Sequence, residues 1–229
     1  MNFALLAEYG PALGQGLLNT IFLSVVTLAI ATPIGAAIAL IRETRIPWIA
    51  IPAAIYVNIF RLLPALLVLF FSFYALPQFG LRLSPMTAAV LGLSIVGAAY
   101  MSEDIRGGLA AVDQGQYRAA KALGLSYPHI IRRIIIPQAI PLIIPPYVTR
   151  AIIMVKATSL ASLVAVGDLT GEAVRATSIT YEPFMFLIMA GALYLLLSGA
   201  LALFQMWAEE RVARARRPRT SLTVKAAQV

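Results

Sequence analysis

The sequence predicts an all-α membrane protein with five transmembrane helices. Of its 229 residues 60% are apolar and only 12% charged, and the mean hydropathy is +0.85. That is too little polar surface to cover a soluble domain. The apolar residues gather in runs long enough for a hydrocarbon core of about 30 Å, which roughly 20 helical residues cross. The basic residues concentrate in alternate gaps between those runs, as membrane orientation requires. The net charge of +8 is thereby explained without nucleic acid as a partner, and the lack of cysteine excludes a disulfide scaffold. The size fits one domain.

Residues 1–13 form an N-terminal stretch without a basic start, and the apolar run after it is too long for a signal peptide, so the first span is expected to stay. That span covers about residues 14–41 and ends at the charged corner Arg42-Glu43-Thr44-Arg45. The second, about 48–76, carries the patch Asn58-Ile59-Phe60-Arg61-Leu62-Leu63-Pro64 at membrane depth. The third starts at Ser84-Pro85, where Ser caps free N–H groups and Pro fits the first turn, and runs to about Ile105. A loop of about 106–135 follows. The fourth span, about 136–160, is interrupted by Pro137, Pro141, Pro145 and Pro146, which read as a gate or, preferably, as a bent structural helix, and the fifth covers about 183–207. The membrane domain is thus 14–208, followed by a basic tail at 209–229. Trp48, Tyr181 and Trp207 stand near span ends, where interfacial anchors belong.

One set of gaps holds thirteen basic residues: Arg42, Arg45, Arg106, Arg118, Lys121, Arg132, Arg133, Arg211, Arg214, Arg216, Arg217, Arg219 and Lys225. The opposite set holds Arg82 and Arg175. The positive-inside rule therefore places the N-terminus outside and both the 106–135 loop and the tail in the cytoplasm. An odd number of spans agrees. Arg61, Arg150 and Lys156 fall within or at the rim of spans.

Within the loop, residues 116–123 read as a short helix with Ala119, Ala120 and Leu123 on neighbouring positions, closed by Gly124, a residue suited to a left-handed C-terminus. The residues alone leave two readings open: insertion into another protein's groove, or an amphipathic helix on the bilayer surface. The run Gly115-Gln116-Tyr117-Arg118-Ala119-Ala120-Lys121-Ala122-Leu123-Gly124-Leu125-Ser126, followed by Ile136-Pro137-Gln138-Ala139, resembles the EAA loop of ABC-importer permeases, in particular those of polar amino-acid uptake. Three further stretches are similar to that family. They are Phe60-Arg61-Leu62-Leu63-Pro64, then Ala99-Tyr100-Met101-Ser102-Glu103 with Arg106-Gly107-Gly108, and Lys156-Ala157-Thr158-Ser159-Leu160.

The resemblance covers most of residues 14–208 and implies the type I ABC-importer transmembrane fold. It implies a subunit of a bacterial inner membrane that pairs with a second permease chain, identical or related. Two cytoplasmic ATPase subunits, which bind ATP and Mg, and an extracytoplasmic solute-binding protein would complete the assembly. The coupling element would be the helix bearing Gly115, Gln116, Arg118, Ala119, Ala120, Leu123 and Gly124. The chain departs from the family pattern at Arg118, where a Glu is usual, at Leu62 and Leu63, which replace Gly-Thr, and at Ala157, which replaces an acid or amide. The sequence itself contains no Gly-x-x-x-x-Gly-Lys-Ser/Thr loop to cradle a nucleotide. No cofactor is expected in this subunit, and no catalytic constellation is present.

Ionisable groups at membrane depth are costly and point to a pathway or a partner. Arg61 leads the candidates: its fork suits a carboxylate, and Pro64 beside it loosens the helix. Its alternative role is to hold helices together through carbonyls or Glu103. Glu103 suits an ammonium group or an ion pair with Arg61 or Arg106, whereas Asp104 reads as a solvated helix-end acid. Lys156, Thr158 and Ser159 complete a polar pocket or outer gate, unless Lys156 snorkels and the hydroxyls bond back to their helix. Asn58, one turn before Arg61, is a further pathway candidate, and Asp168 and Glu172 are placed in an outer loop facing the binding protein. His129 has no second ligand nearby, which argues against a metal site. Two other functions remain to be separated: an independent secondary transporter or channel, for which no internal repeat is evident, and a scaffold recruiting a cytoplasmic protein through the loop.

Overall fold

The computed structural model describes residues 3–44 and 46–216. Its regular elements there are all helical. Helix α1, Phe3–Arg42, begins eleven residues before the expected span. The extension is held by packing: Leu5, Tyr9 and Leu13 join Leu169, Ala173, Ala176 and Phe186 in one apolar cluster, with the Tyr9 and Phe186 rings 5.5 Å apart. Residues 3–13 are therefore part of the helix rather than a separate segment.

Helix α2, Pro47–Leu62, ends at the predicted patch, and the chain then turns by 104° into the stretch Ala65–Phe79, which opens as α3, Ala65–Phe70. Pro64 explains the corner. It disfavours helical backbone in the residue before it, and Leu63 is extended at φ −75, ψ 137. The second predicted span is therefore a sharply broken one, with four other helices long and apolar enough to cross among the described residues.

Helix α4, Pro85–Ala110, starts as expected: the Ser84 hydroxyl accepts from Thr87 N at 3.2 Å. It runs five residues past the predicted end. The short loop helix is α5, Gln114–Ala122, capped by Asp113 and closed by Gly124 at φ +77. Next come α6, Tyr127–Ile130, a wide π turn at Ile131–Ile135, and α7, Ile136–Ala157, which continues through a tighter 3-10 stretch to Val164.

The prolines do not interrupt the fourth span: α7 runs unbroken through Pro141, Pro145 and Pro146, as the structural-helix reading expects. Pro137 sits in its first turn, where a missing N–H leaves no gap in the hydrogen-bond ladder. Pro141 and Pro145 follow at four-residue intervals. The carbonyls they leave without helical partners therefore fall along one stripe of the helix.

The expected outer loop instead contains α8, Leu169–Thr180. Its signals were a capping Asp168 and small or apolar residues at Leu169, Ala173 and Ala176, the i, i+4, i+7 spacing of a buried helix face. The last helix, α9, is Pro183–Arg216. It reaches well into the predicted tail, of which residues 217–229 lie outside the described ones.

The most extensive packing joins α1 to α4 through small residues, with Gly35 against Ala98 and the base of Met101, and Ala31 against Gly97. A Cβ at Gly35 would lie 2.7 Å from Met101 Cβ and 2.9 Å from the Ala98 carbonyl oxygen. Close backbone approach of this kind is how helices associate where lipid removes the hydrophobic driving force. A second cluster, with Leu23, Leu69, Leu93, Met154 and Val164, locks the broken span against α1, α4 and the end of α7. Gly35→Ala should lower the stability of the solubilised protein by about 1–3 kcal/mol through overpacking. The control is Gly107→Ala, where a Cβ meets nothing within 4 Å. Thermal unfolding should show a depressed midpoint for Gly35→Ala alone.

Candidate transport path and coupling element

Four helices converge on two carboxylates. Arg42 ends α1, Arg61 lies in the last turn of α2, and Arg150 is on α7; α4 supplies Tyr100, Glu103, Asp104 and Arg106. Arg42 Nη1 donates to Glu103 Oε1, Arg106 Nη2 donates to Oε2 at 3.0 Å, and Arg61 Nη1 approaches Oε1 at 3.6 Å. Arg150 grips Asp104 with two bonds, at 2.9 and 3.1 Å. The same guanidinium lies 4.3 Å from the centre of the Tyr100 ring. Tyr100 donates its hydroxyl hydrogen to the Arg61 carbonyl at 3.1 Å, and its ring lies 5.8 Å from the Arg61 guanidinium.

Four guanidiniums against two carboxylates leave two positive charges in excess. Arg42 and Arg150 are largely enclosed, whereas the Arg61 side chain is 40% exposed and holds its acid only at the long distance. Asp104 is not a solvated helix-end acid. The bidentate fork of Arg150 encloses it, because two aligned donors compensate a carboxylate at this depth.

A second polar group lies at the far end of α7. Asp168, fully buried, caps α8 by accepting from the N–H groups of Thr170 at 3.2 Å and Gly171 at 3.1 Å. The Tyr194 hydroxyl donates to it at 3.2 Å and lies 3.0 Å from the Thr170 hydroxyl. With the Tyr194 hydrogen committed to Asp168, Thr170 must donate to Tyr194. Thr20 and Asn19 of α1 complete the node by bonding Leu169 N at 3.0 Å and the Gly167 carbonyl at 2.7 Å. Above it is an open cavity of about 320 Å³ lined by Lys156, Ser159, Thr170 and Tyr194. Ser159 donates to the Lys156 carbonyl at 2.7 Å. The cavity therefore presents one cation and hydroxyl lone pairs.

Of the predicted pathway residues, Arg61 and Glu103 come together, and Lys156 and Ser159 share the cavity. Thr158 is buried, with its hydroxyl bonded to the Val155 carbonyl at 2.7 Å. Asn58 is exposed on α2. Asp168, expected on an outer loop facing a partner, is instead a buried helix cap, because the Thr170 and Gly171 N–H groups and the Tyr194 hydroxyl satisfy its carboxylate. Arg42, Tyr100, Arg150, Thr170 and Tyr194 were not among the predicted site residues: Arg42 stood only in the charged corner after the first span, Tyr100 only within a family-like stretch, and Arg150 only as a charge within a span.

In the loop, the inner face of α5 brings Ala120 and Tyr117 against Val112, Ile130, Ile135 and Ala139. Gly115, Gln116, Arg118, Ala119, Leu123 and Gly124 are exposed, Leu123 at 80%.

Residues 31–214 match the family described as binding-protein-dependent transport system inner membrane component. The chain belongs to this family. It is the permease component of an ABC importer, which works with ATPase subunits and is not itself the ATPase. The permease is 37% identical over 222 residues to the octopine transport system permease protein OccM of Rhizobium meliloti, with 90% of each chain covered. To the arginine transport system permease protein ArtQ of Bacillus subtilis it is 34% identical, with 86% of this chain and 90% of that one covered. A solved amino acid ABC transporter with histidines superposes with a TM-score of 0.87 at 33% identity, over 92% of this chain and 99% of that one. The MetNI methionine transporter, at 20% identity and a TM-score of 0.71, shares the fold.

Burial raises the Asp168 carboxyl above its usual range, against the lowering influence of the Gly171 and Thr170 N–H groups and the Tyr194 hydroxyl. The folded permease thus holds this proton more tightly than the unfolded chain. The stability it contributes is present below the unfolded pKa and lost as pH rises through the folded one. Asp168→Asn keeps a good cap and should flatten this part of the pH profile, while Asp168→Ala should cost about 1–2 kcal/mol. Thermal unfolding midpoints measured across the acid range to neutrality check both.

Proposed function

We propose that the permease moves an amino acid or a related zwitterion, such as a compatible solute, into the cell. A second permease chain, an extracytoplasmic binding protein and two ATPases loaded with ATP and Mg would work with it. The N-terminus lies outside and the C-terminus in the cytoplasm, a reading supported by the distribution of basic residues. The observation that carries the proposal is the half-free Arg61 guanidinium, on a broken span, within a cluster that has positive charge to spare. An anionic group on the solute would complete it. The relatives are named for amino-acid transport, among them arginine, glutamine and octopine.

The cavity at Lys156 complements the head group of such a solute. Its ammonium pairs with a carboxylate, and the lone pairs of Thr170 and Ser159 accept from an α-amino group. Arg150 and Lys156 are six residues apart on one helix, about 9 Å along its axis. The solute passes from the Lys156 cavity toward the arginine cluster, with Asn58 and Thr158 near the route rather than at its polar contacts. Coupling runs through α5, whose exposed Ala119, Leu123 and Gly124 meet the ATPase.

ATPase activity of the complex in lipid, measured with its binding protein and a panel of amino acids and zwitterions, tests this reading. One loaded binding protein should stimulate hydrolysis. A complex that recruits no ATPase would favour the secondary-transporter or scaffold alternatives. Arg61→Ala should lower kcat/KM for uptake about 10–100-fold, the weight of a lost charge-assisted hydrogen bond, with ATPase recruitment retained. Normal uptake would leave Arg61 as a tie between helices. Lys156→Ala should mainly raise KM, read from uptake at varied solute concentration.

A further inference from the structure

The outward face of α5 is cationic, and its charges have no ion-pair partner among the described residues. Arg118 makes one weak bond, 3.4 Å to the Gln114 amide oxygen, and neither Arg118 nor Lys121 forms an ion pair among the described residues. The nearest acid, Asp113, is committed to the helix cap, accepting from Gly115 N at 2.6 Å. Arg118 and Lys121 are three residues apart and therefore neighbours on the helix surface, a repulsive arrangement in isolation. His129, Arg132 and Arg133, exposed on the following turns, add no negative charge.

Geometry separates the two sources of anionic charge that could meet this face. Ala120, 3% exposed, packs on Ile130, Ile135 and Ala139 at the base of the span. Arg118 precedes Ala120 by two residues, about 200° around the helix. It therefore projects away from the apolar cluster at the base of the span. Beside it are exposed small side chains, Ala119 and Ala122, and the exposed Leu123, a surface of close-fitting protein contact rather than of headgroup contact.

We infer that the ATPase groove receiving α5 is lined by carboxylates opposite Arg118 and Lys121, so that charge selects which ATPase this permease recruits. The inference rests on the coupling reading of α5 above. Long-range attraction of this kind steers association and excludes partners of like charge. A basic groove would repel this helix.

The test uses the full permease in nanodiscs and the ATPase subunit that serves it, with binding measured at increasing NaCl. Affinity should fall as salt rises from about 50 to about 500 mM, because the Debye length then shrinks severalfold. Arg118→Glu, a substitution between good helix formers, should weaken binding about tenfold or more, and Arg118→Gln less. Replacing a groove carboxylate by arginine should restore binding to Arg118→Glu. Unchanged, salt-independent binding by Arg118→Glu, with loss in Leu123→Asp, would overturn the charge inference and leave the docking reading standing. Full binding by Leu123→Asp as well would remove the docking reading itself. If Arg118→Glu instead lost affinity only for vesicles containing phosphatidylglycerol, the face would belong to lipid and the inference would fall.

Discussion

The carboxylate of Glu103 is the point on which the inner architecture of the permease depends. It accepts from the residue that ends α1 and from a residue one turn along α4, and it attracts the last turn of α2. Arg42 and Arg61 also sit in the last turns of α1 and α2, where positive charge is favoured. Without Glu103, four guanidiniums would share Asp104 alone at membrane depth, and breaking such an assembly leaves uncompensated charge in a low dielectric. The corner at Pro64 is tolerable for the same reason. The freed end of α2 is held by the Tyr100 hydroxyl at the Arg61 carbonyl, so a break that would be costly in lipid is satisfied by protein.

Small residues make this convergence possible. Arg42 reaches Glu103 only because α1 and α4 run close together for most of their length, with Gly35 seated against Ala98 and Met101. At the other end, Gly16 lets the chain at Asp168 and Leu169 press against α1, where an added Cβ would come within 2.9 Å of the Asp168 carbonyl oxygen. The two polar groups are thus set by backbone approach as much as by charge. Neither would assemble if α1 stood a side chain further out.

The spans, the start of α4 at Ser84-Pro85 and the left-handed stop at Gly124 were legible because each depends on residues adjacent in sequence. The hydrophobic runs and the caps are local physics. What the sequence hid is pairing between distant residues. Arg150 appeared as a lone charge in a span, and only the fold reveals its fork around Asp104. Asp168 looked like an exposed loop acid because the Tyr194 and Thr20 that enclose its neighbourhood are 26 and 148 residues away. The prolines of α7 left a gate and a structural helix open in the sequence, and the continuous helix decides between them, since prolines spaced four apart place their lost hydrogen bonds on one stripe.

Continuity of that helix connects the two ends of the molecule. The inner face of α5 grips Ile130, Ile135 and Ala139, on both sides of the π turn at Ile131–Ile135. From there α7 carries Arg150 into the arginine cluster and Lys156 into the cavity without an intervening break. A displacement of α5 along the axis of α7 must therefore shift both cations relative to α4, since a close-packed helix moves as a body. The two partners of those cations differ in stiffness. Asp104 holds Arg150 through two aligned bonds, whereas Lys156 faces an open cavity. On the proposed coupling, such a movement is resisted at the bidentate Asp104 pair and accommodated at the open Lys156 cavity, so the cavity is the part of the polar path that reshapes most easily.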